Sequence, residues 1–105
     1  MSVAIEILYY EGCPNVQQTT RLVQRIVSEL YFDADIYLVE VRDAEDAIAR
    51  RFLGSPTVRV DGEDVEPGAG RRRGYGLATR VYRTEEGLSA RPEEAWIRAA
   101  LAQRW

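Results

Sequence analysis

The sequence predicts a single α/β domain built on a mixed central sheet of about four strands, with helices on both faces. Three observations favour this class. Apolar runs of strand character alternate with stretches of helical periodicity, an Asp-Gly pair follows the third strand-like run, and a helical stretch ends the chain. A strand–helix–strand unit makes its strands parallel, whereas a two-residue turn makes them antiparallel. The predicted sheet is therefore mixed.

The first strand and helix are predicted from residues 3–31. Residues 3–10 are almost uniformly apolar, with Glu6 the exception, as in a strand covered on both faces. Gly12 permits a sharp turn, and Pro14 suits a first helical turn because its missing N–H needs no partner there. Apolar side chains then recur at alternating spacings of four and three, which predicts a helix over 14–31.

A second strand and helix follow in residues 36–54. The β-branched and aromatic side chains of 36–41 indicate a strand. Asp43 is a good N-cap for a helix over 44–53, and Gly54 is placed to end that helix.

The next part of the chain is predicted to form a hairpin. Residues 57–60 have strand character, and Asp61-Gly62 is a strong two-residue turn signal. We therefore expect residues 63–65 to return as a partner strand. An irregular, glycine-rich stretch follows up to Gly76.

The last third of the sequence predicts one more strand and a final helix. Apolar alternation resumes over 77–82, and Pro92 opens a helix that we expect over 92–104. Trp96 and Trp105 are expected to pack against the domain.

Composition limits the function. The 105 residues suit one domain, 1–105, and the net charge of −3 gives nucleic-acid binding no support. One cysteine and no histidine exclude an intrachain disulfide, the usual zinc site and a cysteine–histidine catalytic pair. No apolar run is long enough to span a membrane, so the expected setting is cytoplasmic and reducing.

The single cysteine, Cys13, is the candidate catalytic residue. It lies where the first predicted strand passes into the first predicted helix. A helix N-terminus favours a thiolate, and such a position can bring a cysteine pKa down to ~3.5–7.5. A lone cysteine is often only a small buried hydrophobe, but this position favours an accessible thiol.

Two motifs then resemble the thioredoxin-like superfamily over about residues 3–65 and the last helix. They are Gly12-Cys13-Pro14-Asn15-Val16 after the first strand and Gly54-Ser55-Pro56-Thr57 before the third. The resemblance implies a thioredoxin-like fold in which Pro56 is cis and faces Cys13. It also implies that the Ser55 backbone pairs with an extended substrate. Pro14 and Tyr10 complete the predicted substrate-binding residues.

The chain departs from that pattern at two positions. More narrowly, it resembles small bacterial members that also keep a Gly-Leu-x-Cys-Arg-x-Tyr segment. Val16 replaces the second cysteine of Cys-x-x-Cys, and Thr79 replaces the cysteine of the later segment. A mixed disulfide on Cys13 would therefore have no internal thiol to release it.

The resemblance implies a monothiol redox protein. Cys13 would exchange with a thiol or disulfide substrate, a small molecule or a protein, with glutathione as co-substrate and no metal or other cofactor. We expect a monomer or weak dimer that binds neither nucleic acid nor membrane. The alternative is a catalytically degenerate binding module that uses the cis-Pro56 groove. An anion site at Arg71-Arg72-Arg73 ranks last, because a solvated, flexible loop is the favoured explanation of that run.

Overall fold

The computed structural model describes residues 2–104 as one four-stranded sheet, a small separate hairpin and three α-helices. The sheet contains β1 (Val3–Tyr9), β2 (Ala34–Glu40), β3 (Thr57–Val60) and β4 (Glu63–Asp64), and the hairpin contains β5 (Tyr82–Thr84) and β6 (Gly87–Ser89). The helices are α1 (Val16–Glu29), α2 (Ala44–Ala49) and α3 (Glu94–Ala102), and a short 3₁₀ turn spans Ala69–Arg71.

The four strands lie in the order β2-β1-β3-β4, with β1 parallel to β2 and antiparallel to β3. Leu8 near the end of β1 therefore lies opposite Thr57 at the start of β3. This register brings the loop after β1 and the loop before β3 to the same end of the sheet. The predicted α/β class and the mixed four-stranded sheet are confirmed.

Alternating side chains divide β1 between two apolar clusters. Ile5 and Ile7 pack with residues of α1, β3 and α3 in the larger cluster, whereas Leu8 packs with Ala47 and Phe52 on the other face. Helices therefore cover both faces of the sheet, as predicted.

Both α1 and α2 end without glycine. Tyr31 and Arg51 take the left-handed conformation, with φ of 50° and 54°, directly after the two C-caps. Phe52 N–H donates to the Ala47 carbonyl at 2.8 Å, which closes the end of α2. The prediction that α2 extends to 53 and ends at Gly54 is therefore wrong, because Arg51 occupies the left-handed position. The Asp43 cap is confirmed, since its carboxylate accepts from Asp46 N–H at 2.8 Å.

The starts of the other two helices also differ from the prediction. Helix α1 begins at Val16 after the N-cap Asn15, so Pro14 precedes the helix and does not occupy its first turn. Helix α3 begins at Glu94, so Pro92 likewise lies outside it. Proline fits the segment leading into a helix as well as its first turn, so sequence alone does not separate the two registers.

The Asp61-Gly62 turn is confirmed, with positive φ at both residues. The predicted strand over 77–82 is wrong: only Tyr82 belongs to a strand, β5. Residues 78–80 of that segment lie beside Ser55, and residues 77–81 belong to no strand of the sheet. Trp96 packs against the larger cluster, whereas Trp105 lies outside the described residues.

Candidate functional site at the end of β1 and the start of β3

Cys13 lies in the loop that joins β1 to α1. Gly12 has φ of 89°, which reverses the chain, and Cys13 N–H donates to the Tyr10 carbonyl at 3.2 Å. Cys13 is half-buried and carries a free thiol. Because α1 begins only at Val16, Cys13 stands two residues before the N-cap Asn15. The thiol is thus near the helix terminus without belonging to its first turn.

A surface groove of about 560 Å³ opens beside Cys13, between the first half of α1 and Leu38 of β2. Its floor and walls combine apolar and polar side chains, and Leu38 is 55% exposed. The Thr20 hydroxyl donates to the Val16 carbonyl at 2.8 Å, whereas Arg21 is exposed. The lining residues are Cys13, Pro14, Val16, Gln17, Thr20, Arg21, Gln24 and Leu38.

Ser55 and Pro56 lie before β3, on the other side of β1 from this groove. Both residues are buried, and the peptide bond between them is cis. Ser55 N–H donates to the Ala78 carbonyl at 2.8 Å, and the Ser55 carbonyl accepts from Arg80 N–H at 2.9 Å. Both backbone groups of Ser55 are therefore bonded to the chain's own segment 78–80.

Gly54 permits this close approach of segment 78–80. A Cβ at position 54 would lie 2.9 Å from the Arg80 Cβ and 3.0 Å from the Ala78 carbonyl oxygen. Gly54 also has φ of 130°, which other residues rarely adopt. The glycine that the sequence placed at a helix end is thus needed for a contact between two loops.

Tyr10 connects the two sides of the site. Its hydroxyl lies 2.8 Å from the Thr79 hydroxyl, and Thr79 forms an isolated parallel bridge with Ser55. Tyr10 also accepts the Cys13 N–H through its carbonyl. A continuous series of contacts therefore runs from Cys13 through Tyr10 and Thr79 to Ser55.

The buried side chain of Arg80 anchors segment 78–80 to other parts of the chain. The sequence did not predict this role. The Arg80 guanidinium donates to Asp64 at 2.6 and 3.2 Å, to Glu66 at 2.7 Å and to the Thr57 hydroxyl at 2.9 Å. It also lies 4.5 Å from the centre of the Tyr82 ring. Burial lowers the pKa of Arg80, but its bonds to the carboxylates outweigh this and leave the pKa raised. The resemblance to the Gly-Leu-x-Cys-Arg-x-Tyr segment includes Arg80, but the sequence does not indicate its carboxylate partners, because they come from distant segments.

The arginine run 71–73 does not line the groove beside Cys13. Arg72 pairs with Glu66 at 2.7 Å, and Arg73 donates to backbone carbonyls of its own loop. Arg72 therefore shares Glu66 with the buried Arg80, and the run takes no part in the groove.

Within residues 2–104, no helix is long and apolar enough to cross a membrane, and no three acidic or cysteine side chains are placed to hold a metal ion. No protein-family model matches the chain, and no curated protein is significantly similar to it.

Proposed function

We propose that the chain has a thioredoxin-like fold and acts as a monothiol redox protein through Cys13. The fold proposal is supported by the strand order β2-β1-β3-β4 with β3 antiparallel to its neighbours, by α1 and α3 on one face, and by α2 on the other. Cys13 after β1 and Ser55-Pro56 before β3 belong to the motifs on which the sequence resemblance rests.

The observation that carries the redox proposal is the half-exposed Cys13 thiol at the mouth of an open groove. Thiol–disulfide exchange requires a sulfur that a substrate disulfide can approach in line. The groove gives that approach from the α1 and β2 side, and Arg21 offers a positive charge for a substrate carboxylate.

The reaction takes place in two exchanges. The Cys13 thiolate attacks the glutathione sulfur of a mixed disulfide, the original S–S bond breaks, and the substrate leaves as a thiolate that takes up a proton. A second glutathione thiolate then attacks the glutathione sulfur held on Cys13. This step releases oxidised glutathione and regenerates the Cys13 thiolate. Val16 and Thr79 carry no thiol, so the second exchange depends on the external thiol.

The hydrogen bonding of Ser55 favours this proposal over the binding module. A peptide held at the cis-Pro56 groove would pair with the Ser55 backbone, but both Ser55 groups are bonded to residues 78 and 80. Such a peptide would have to displace these bonds, whereas a ligand in the groove beside Cys13 would not. We therefore favour a small glutathione adduct over an extended peptide as substrate.

The test is turnover of a glutathione mixed disulfide of a small thiol, with glutathione supplied and oxidised glutathione measured. Cys13→Ser should abolish turnover, and Arg21→Gln should raise KM by about threefold to tenfold because a charge-assisted contact is lost. Arg91→Gln removes the same charge from an exposed position outside the groove and should leave KM unchanged.

Val16→Cys, compared with Val16→Ala, tests the role of the missing thiol. The new cysteine should raise the rate at which a protein disulfide is reduced, whereas alanine should not. The redox proposal fails if the wild-type protein gives no turnover with any thiol. Partner binding that survives Cys13→Ser would then support the binding module.

A further inference from the structure

A second cleft, of about 610 Å³, lies along the sheet edge formed by β4. The β3–β4 hairpin, the loop after β4, the end of α2 and the end of α3 line it, and Cys13 does not. Five arginines but only three acidic residues face this cleft. An anion can bind only to those arginines that are not already paired with a carboxylate of the chain.

Three of the five arginines have carboxylate partners. Asp64 and Glu66, which line the cleft, also form ion pairs with the buried Arg80. The pairs at the cleft are Arg50 with Asp46 at 2.9 Å, Arg72 with Glu66 at 2.7 Å, and Arg104 with Asp61 at 3.2 Å.

Arg51 and Arg59 are different. Within residues 2–104, neither has a carboxylate within 4.0 Å. Arg51 is exposed, whereas Arg59 is half-buried on β3. Burial lowers the pKa of Arg59 because its charge is partly removed from water, and the more distant Asp64 and Glu6 oppose this only in part. An anion bound at Arg59 would offset that cost of burial.

The Arg59 side chain is held in position for such an anion. Its Nη2 donates to the carbonyls of Arg50 and Arg51 at 2.6 and 3.2 Å, at the end of α2. In the described part of the chain, its Nε and Nη1 have no hydrogen-bond partner, and neither is a fully buried atom. One edge of the guanidinium is thus anchored while the remaining N–H groups stay available to a ligand.

An apolar surface adjoins the two arginines. Leu53 follows Arg51 by two residues, and Gly76 N–H donates to the Phe52 carbonyl at 3.1 Å, which brings Tyr75 to the same place. Leu53 and Tyr75 both line the cleft and are half-buried.

We propose that this cleft binds a small organic anion whose carboxylate or phosphate lies on Arg59 and Arg51 and whose apolar or aromatic body packs against Leu53 and Tyr75. The site is separate from Cys13 and does not depend on the redox proposal. Guanidinium groups recognise both oxyanions by paired N–H donors, so the shared chemistry is an oxyanion on an apolar group.

Calorimetric titration at low salt with phenyl phosphate, benzoate and inorganic phosphate tests the proposal. Phenyl phosphate should bind more tightly than inorganic phosphate, because only the former reaches the apolar surface. The comparison of phenyl phosphate with benzoate decides which oxyanion the site prefers. Arg59→Gln should weaken phenyl phosphate binding about tenfold or more. Cys13→Ser should leave binding unchanged, and Tyr75→Ala should weaken phenyl phosphate but not inorganic phosphate.

Arg83→Gln is the matched control, since Arg83 is exposed and lies outside the cleft. Equal losses for Arg59→Gln and Arg83→Gln, or no binding of any probe at millimolar concentration, would overturn the proposal. Should Arg59→Gln fail to fold, the exposed Arg51→Gln and the NMR signal of the Arg59 Nε–H in the wild-type protein decide instead. Phenyl phosphate must shift that signal, and Arg51→Gln must weaken binding.

Discussion

The two faces of the sheet are stabilised by different kinds of interaction. Between the sheet and helices α1 and α3, a cluster of buried aliphatic side chains closes the core without directional bonds. On the face that carries Thr57 and Asp64, the apolar cluster is small and lies next to the ion-paired Arg80. Aliphatic packing tolerates many arrangements of similar volume, whereas a buried guanidinium requires each partner in place. The polar face therefore fixes the loops around the candidate site.

The largest expected effect is on the polar face. Arg80→Met should lower the free energy of unfolding by about 3–5 kcal/mol, because the nearly buried Asp64 loses its partner and Glu66 keeps only the more exposed Arg72. The Arg80 side chain is 1% exposed, and those of Asp64 and Glu66 are 14% and 13% exposed. Urea denaturation measures the change.

Arg72→Met is the matched control for Arg80→Met. Arg72 pairs with the same Glu66 oxygen, but its side chain is 48% exposed, so the loss should be about 0–1 kcal/mol. Equal, small losses for both variants would show that the Arg80 network contributes little to stability.

The next effect is on the aliphatic face. Ile26→Ala should cost about 3 kcal/mol through lost transfer energy and a residual cavity, because Ile26 is 0% exposed. Ile48→Ala removes the same atoms from a side chain that is 62% exposed and should change stability by less than about 0.5 kcal/mol. Thermal and urea unfolding of both variants check the difference, and similar losses would contradict the described packing.

The smallest effect appears at alkaline pH and concerns Tyr82, whose ring lies between Arg80 of the polar face and Trp96 of the aliphatic cluster. Burial raises the pKa of Tyr82 well above its usual value of 10, because the phenolate would be cut off from water. The unfolded chain loses this proton at a lower pH than the folded chain. Stability from this group is therefore fully present below about pH 10 and should fall by up to ~1.4 kcal/mol per pH unit above it.

Tyr82→Phe should abolish this part of the alkaline destabilisation, whereas Tyr31→Phe should not, since Tyr31 is 94% exposed. The Tyr82 hydroxyl also donates to the Pro56 carbonyl, so the variant loses some stability at neutral pH. The measurement is urea unfolding as a function of pH. If the free energy of unfolding of the wild-type protein does not change between pH 10 and 11, the burial of the Tyr82 hydroxyl is contradicted.

The sequence by itself determined the order along the chain of the four sheet strands and the three helices, and the end of the sheet at which Cys13 lies. The apolar run of β1, the alternation in β3, the stripe of α1, the Asp43 cap and the Asp61-Gly62 turn are local signals, and a local signal is readable within a few residues. Helix boundaries were less certain, because proline fits the helix entrance in more than one register and Arg51 took a left-handed position usually given to glycine.

Only the tertiary structure decided what surrounds Cys13. Segment 78–80 meets Ser55, Tyr10 meets Thr79, and Arg80 meets Asp64 and Glu66 across 14 or more residues of sequence. Arg80 lies in an apolar stretch, but an arginine is buried only where carboxylates neutralise it, and the fold brings those carboxylates from distant segments. For the same reason the run Arg71-Arg72-Arg73 drew attention in the sequence, whereas the described cleft arginines without a carboxylate partner are Arg51 and Arg59.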